Sequence, residues 1–103
     1  MTRVPCIRFP RATLARTKAA QLEKDGQAVA AFLVEDQLHA IDGLCPHRGG
    51  PLGEGVLRGR VVTCPWHRWT FDVTSGRCTS HPDRDVRVHQ VAVDGDDVVV
   101  WLR

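Results

Sequence analysis

An all-β fold is what this chain predicts, on three observations. Short valine-rich runs recur along its length. Turn signals such as Asp-Gly, Arg-Gly-Arg and Ser-Gly separate them. There is no internal repeat and no low-complexity stretch. At 103 residues the chain makes one domain, near the lower end of what can bury a useful core. With three Trp, three Phe and no Tyr, that core is short of large aromatic surface and gains from a staple.

The elements follow in order. Residues 12–24 are in conflict, because Ala, Leu, Gln, Glu and Lys there favour a helix. Asp25-Gly26 follows, however, and Asp-Gly ahead of an apolar run is a hairpin signal. The expectation is therefore a strand over about Lys18 to Glu23. Ala28 to Val34 and Leu38 to Ile41 read as two strands around a tight turn at Glu35-Asp36-Gln37. Val56-Leu57 and Val61-Val62-Thr63 flank Arg58-Gly59-Arg60 as a hairpin. Trp69 to Val73 alternates as a strand does and stops at Thr74-Ser75-Gly76. Val86, Val88, Val91 and Val93 lead to the turn Asp94-Gly95-Asp96-Asp97, and Val98 to Leu102 closes the chain.

Two short runs carry the chemistry: Cys45-Pro46-His47 and Cys64-Pro65-Trp66-His67, with sixteen residues between them. Each offers one thiolate and one imidazole. Pro46 and Pro65 fix φ after each cysteine and remove an amide donor, which suits a tight turn. Gly49, Gly50 and Gly53 follow the first run and permit positive φ and close backbone approach. Two Cys and two His also suit tetrahedral zinc, but zinc motifs group Cys with Cys and His with His. Here each loop mixes the two. A centre with two irons, one held by two Cys and the other by two His, asks for that mixture.

The pattern Cys-x-His, spacer, Cys-x-x-His resembles the Rieske-type ferredoxins, small electron carriers of bacterial oxygenase systems, over about Val29 to Leu102. The resemblance implies one [2Fe–2S] cluster held by Cys45, His47, Cys64 and His67. It implies a Rieske fold: small antiparallel sheets form a base from about 1–42 and 81–103, with a cluster-binding subdomain of about 43–80 inserted. The histidines lie at its tip, where they would meet a partner.

Departures from the wider family are informative. Respiratory-chain members carry an extra Cys in each loop, joined as a disulfide, and Gly50 and Trp66 stand there instead. Their Ser and Tyr hydroxyls, which donate to sulfur, are matched by Trp69 and Phe71. Fewer donors leave the reduced cluster less stabilised and lower its potential. Arg68 stands where the oxygenase-type motif has glycine; the sequence leaves open whether it tunes the potential, meets an acidic partner or faces solvent.

Other features exclude alternatives. The formal charge of +2 is mild, and basic residues are not interleaved with aromatics, so nucleic acid is not expected. Basic residues gather early (Arg3, Arg8, Arg11, Arg16, Lys18, Lys24) and acidic ones late (Asp83, Asp85, Asp94, Asp96, Asp97), which reads as two solvated faces of opposite sign. No apolar run is long enough for a membrane helix, and Arg8 and Arg11 interrupt any secretory signal. The expectation is a cytoplasmic protein in which Cys6 and Cys78 are small buried apolar residues. The glycine-rich run from Gly49 to Gly55 lacks the Lys-Ser/Thr of a phosphate loop. His39 and His89 read as ordinary strand positions, and His81 as a surface residue.

The function that follows is one-electron transfer from an NAD(P)H-dependent flavoprotein reductase to a terminal aromatic-ring oxygenase. The chain would be a monomer, not catalytic alone, docking transiently at the His47/His67 tip. Two alternatives stand beside it: the small subunit of an assimilatory nitrite reductase, and a metal-stabilised interaction module.

Overall fold

The computed structural model describes residues 5–102; Arg3, counted above among the early basic residues, lies outside them. Among the described residues ten strands form three antiparallel sheets. The first joins the two ends of the chain: β1 (Cys6–Pro10) pairs with β10 (Asp97–Trp101), which pairs with β9 (Val91–Asp94). The second runs β2 (Ala19–Lys24), β3 (Gln27–Val34), β4 (Gln37–Asp42) and β8 (Val88–His89). The third is a meander of β5 (Val56–Arg58), β6 (Val61–Thr63) and β7 (Thr70–Asp72).

The second sheet is the middle layer, and β3 shows why. Its apolar run is nearly continuous, as a strand covered on both faces requires. Val29 and Ala31 face a core shared with Ile7, Phe9, Val98 and Val100 of the first sheet. Ala30 and Phe32 face the other way, into a core with Val62, Cys64, Phe71 and Cys78. Both cysteine-bearing loops hang from this second core.

The segment in conflict is resolved as a strand. Ala19 to Lys24 pairs residue by residue with β3, from Ala19 opposite Phe32 to Lys24 opposite Gln27. Asp25 and Gly26 both take positive φ, the geometry of a two-residue hairpin turn. Ala12 does join a short 3₁₀ turn, Arg11–Leu14, whose Leu14 is buried. Tertiary pairing outweighs the helix preference of a stretch too short to be stable alone. Glu35 and Asp36 form the next turn, both with positive φ, and Gln37 already belongs to β4. The strand β1 has no counterpart in the sequence reading; its two buried side chains, Ile7 and Phe9, are too few to show a period.

The two expected charged faces are corrected in part. Arg8 on β1 lies 2.8 Å from Asp94 and 3.5 Å from Asp97, so early base and late acid are neighbours across one sheet. Antiparallel closure of the two chain ends puts them there.

The turn after β7 carries a testable acid dependence. Burial alone would raise the Asp72 carboxyl, but the Thr74 hydroxyl and amide, the Arg60 guanidinium and the Ser75 amide outweigh it and hold the carboxyl below its usual range. A lowered folded value stabilises the fold above the unfolded carboxyl pKa of about 3.9. That contribution is lost as the pH falls through the folded value. Thr74→Ala should therefore be about 1 kcal/mol less stable at neutral pH. The difference should shrink in acid, as checked by urea unfolding across the acid range. A difference that grew below pH 4 would contradict the assignment.

Candidate metal centre

Both loops are built alike. In the first, the Cys45 amide donates to the Gly50 carbonyl at 2.8 Å; in the second, the Cys64 amide donates to the Trp69 carbonyl at 2.7 Å. Each cysteine thus sits at the base of a turn closed five residues on, and its histidine lies on the turn itself. Cys45 and Cys64 are 3% and 0% exposed, whereas His47 and His67 are exposed. The imidazole rings meet edge to face, with centroids 4.8 Å apart. The loops therefore bring the two buried cysteines near each other and set the two exposed imidazoles against each other, while among the described residues no three His, Cys, Asp or Glu side chains are grouped closely enough to hold one metal ion.

The electrostatics favour a cation between the sulfurs. Burial pushes the Cys64 thiol up; the Trp66 amide N–H works against this, while neighbouring Cys45 adds to it. Two buried thiolates that repel each other are relieved by metal, which deprotonates both. At the other end, desolvation lowers the His47 pKa, and the nearby His67, Arg48 and His81 lower it further. A neutral imidazole is the form that ligates metal.

The two loops pack closely at Gly50. A Cβ on Gly50 would stand 2.6 Å from the Cys64 Sγ and 3.1 Å from the Trp66 side chain, so only glycine lets the loops approach. Two thiolates and two imidazoles are the donor set of a binuclear [2Fe–2S] centre with two protein ligands per iron.

The supporting residues were only partly foreseen. Trp69 stacks on His47, with centroids 4.6 Å apart and planes 8° apart, and His81 stacks on Trp69 at 3.8 Å and 13°. His81 is exposed, as expected, yet held: its Nδ1 is 2.8 Å from the Ser80 Oγ, which also accepts the Thr70 amide at 3.0 Å. Gln21 of β2 has a role the sequence does not reveal. Its amide donates to the Gly43 carbonyl at 2.8 Å and accepts the Gly53 amide at 2.7 Å, clasping both ends of the first loop. Gly53 faces the β2 backbone rather than the cysteines, 2.5 Å from the Ala20 carbonyl to its ideal Cβ.

Cys78 is buried, as read from the sequence, but Cys6 is only half-buried. His89 departs most from expectation. It is 2% exposed, its Nε2 is 2.8 Å from Asp42 Oδ1, and its Nδ1 donates to the Trp101 carbonyl at 3.2 Å. His67 and Arg68 both have left-handed backbones, φ +68° and +60°. For a non-glycine residue that costs about 1–2 kcal/mol, and it explains why a glycine suits the position of Arg68.

The family model for the Rieske [2Fe-2S] domain matches residues 7–93. The ferredoxin component of a naphthalene 1,2-dioxygenase system from Pseudomonas aeruginosa is 33% identical over 79 residues, 76% of either chain. The ferredoxin of carbazole 1,9a-dioxygenase from Nocardioides aromaticivorans IC177 superposes with a TM-score of 0.83 at 29% identity, covering 95% of this chain and 98% of that one. A structure of reduced oxygenase with oxidized ferredoxin in carbazole 1,9a-dioxygenase contains a chain with a TM-score of 0.84 at 26% identity, covering 96% and 94%.

Proposed function

The chain belongs to the Rieske [2Fe–2S] domain family, and we propose that it is the ferredoxin of an oxygenase system. It carries single electrons from an NAD(P)H-dependent flavoprotein reductase to a terminal aromatic-ring oxygenase and is not a catalyst by itself. One observation carries the reading: two matched loops pair buried cysteines beneath exposed imidazoles. The relatives that span most of the chain at 33% and 29% identity are ferredoxin components of dioxygenase systems, and this favours the carrier over a nitrite reductase subunit.

In this proposal Cys45 and Cys64 hold one iron of a single cluster, and His47 and His67 hold the other. When bound, the cluster supplies reversible one-electron chemistry. The chain's own residues do the rest. The core around Cys45 and Cys64 keeps water from the sulfurs. The stack of Trp69 and His81 holds the His47 ring in one orientation. The exposed imidazole edges shorten the path to a docked protein. An open groove of about 650 Å³ lies elsewhere, lined by residues such as Arg11, Leu14, Asp36 and Val93 and by none of either loop. The cluster-binding unit is about 43–80, inserted into a base of about 1–42 and 81–103. The protein acts as a cytoplasmic monomer that docks its partners at the histidine tip. No helix among the described residues is long and apolar enough to cross a membrane.

The test is a redox titration of the purified protein followed by visible absorption. Phe71 lies fully buried among the cysteines and carries no hydroxyl, nor does Trp69, so the midpoint should fall at roughly −150 to 0 mV, the low end for this centre. Phe71→Tyr should raise it where the new hydroxyl reaches a ligand sulfur. Mixed with the flavoprotein reductase and oxygenase of its own system, the chain should be required for substrate turnover. A colourless protein containing zinc, or a midpoint near the upper end of the Rieske range, would defeat the proposal.

A further inference from the structure

The two loops end alike in another respect. Each ligand histidine is followed by an arginine: Arg48 after His47, Arg68 after His67. Both are exposed. Neither makes a hydrogen bond or ion pair with any described residue. No acidic residue lies in either loop, from Cys45 to Gly50 or from Cys64 to Trp69. Of the nearest carboxylates in the chain, Asp42 is engaged with His89 and Asp72 with Arg60 and Thr74, and the exposed Glu54 forms no ion pair with either arginine. Beyond His81, Asp83 and Arg84 are neighbours of opposite sign.

Arg68 adds a second observation. It holds a left-handed φ of +60°, a conformation in which glycine is unstrained and arginine is not. A strained arginine that binds nothing within its own chain serves no purpose in the fold. Beside it, Trp66 is 50% exposed, an apolar surface at the same tip. Two unpaired guanidinium groups around an exposed aromatic ring and two imidazole edges form a surface that attracts carboxylates and excludes water on contact.

We propose that the loop tips form a cationic docking face for a redox protein whose contact surface is rich in carboxylates. This rests on the carrier reading and adds the chemistry of the partner. The electron leaves through the imidazole edges, so charge at these two positions acts where the donor and acceptor meet. It steers the encounter and sets which partners are accepted.

The experiment uses the intact reduced holoprotein and two haem proteins as probes, in stopped flow. Cytochrome b5 presents its haem edge within a ring of carboxylates, and cytochrome c within a ring of lysines. In each reaction one electron passes to ferric haem, which becomes ferrous, and the reduced centre is reoxidised. At low ionic strength, R48E/R68E should slow reduction of cytochrome b5 by about tenfold or more and speed that of cytochrome c. R48Q/R68Q should fall between, and guards against a folding defect in the double reversal. Salt at about 0.3 M should erase the differences by screening. R11E/R16E makes the same change in total charge at the other end of β4. There Arg11 lines a groove with Asp36 and Gln37, and it should leave both rates near those of the parent. Visible spectra confirm equal cluster content before each run. Cytochrome b5 rates within twofold of the parent in both tip variants, or an equal loss in R11E/R16E, would overturn the proposal. Failure to reduce either haem would instead overturn the carrier reading beneath it.

Discussion

Cys64→Ser should give a colourless protein holding less than about a tenth of the parent's iron, and one that unfolds far more readily, because cluster binding and folding are coupled. Cys64 is fully buried in the same core as Cys45, Phe71 and Cys78. Its loss therefore has two effects, on ligation and on packing, and a second pair of variants separates them. Cys78→Ser makes the same chemical change at a site 5% exposed in that core, but outside both loops. It should keep its iron and its colour at a cost of about 1–3 kcal/mol. His67→Ala does the reverse. The ring is exposed, so its removal disturbs no core, yet the iron and colour should be lost as in Cys64→Ser. Iron analysis and visible spectra check all three. Full iron content and an unchanged spectrum in His67→Ala would remove that histidine from the ligand set. Stoichiometric zinc in the parent, lost in Cys64→Ser, would point to the mononuclear alternative.

The positions of the four candidate ligands are legible in the sequence because their signal is local. Cys45-Pro46-His47 and Cys64-Pro65-Trp66-His67 each make a turn within one short run, and the turn alone sets which side chains share a face. The hairpins are legible for the same reason. Asp25-Gly26 and Gly59-Arg60 connect adjacent strands, so neighbouring residues decide the pairing. Even where helix propensity argued otherwise, the Asp-Gly signal located β2.

What the sequence hides depends on long-range contacts. Nothing near Gln21 says that its amide will clasp Gly43 and Gly53, which lie 22 and 32 residues further on. β1 finds β10 across nearly the whole chain, and two buried side chains leave no period to read. His81 looks like a surface residue and is one, but its stack on Trp69 follows from the return of the chain past the second loop. His89 reads as one polar position in an alternating strand. Only the packing of β8 beneath Trp101 and beside Asp42 turns it inward.

That buried pair supports the last expectation: Asp42→Ala should destabilise the holoprotein by about 2–3 kcal/mol and lower its Tm by about 10–15 °C. His89 is 2% exposed, so water cannot replace a lost partner. Both ring nitrogens meet acceptors, Asp42 Oδ1 at 2.8 Å and the Trp101 carbonyl at 3.2 Å. The other carboxylate oxygen accepts the Arg87 amide at 3.0 Å, so the truncation orphans two donors. The Asp42 side chain is 34% exposed, which admits some water on its own side and keeps the cost below that of a wholly buried pair. Few other contacts hold this edge, because β4 and β8 share only two register pairs, Ala40 with His89 and Ile41 with Val88. Asp42 also leads directly into Gly43 and the first loop, yet it makes no hydrogen bond or ion pair with Cys45, Cys64, His47 or His67. The folded variant should therefore keep the parent's spectrum and midpoint while melting earlier. The double variant Asp42→Ala/His89→Leu should recover at least about 1 kcal/mol relative to the sum of the single changes, since it leaves no buried ring nitrogen to satisfy. Thermal melts and redox titrations of the four proteins decide it. A single Asp42→Ala variant as stable as the parent would show that His89 finds its partner in water after all, and that the clamp between β4 and β8 rests on backbone pairing alone.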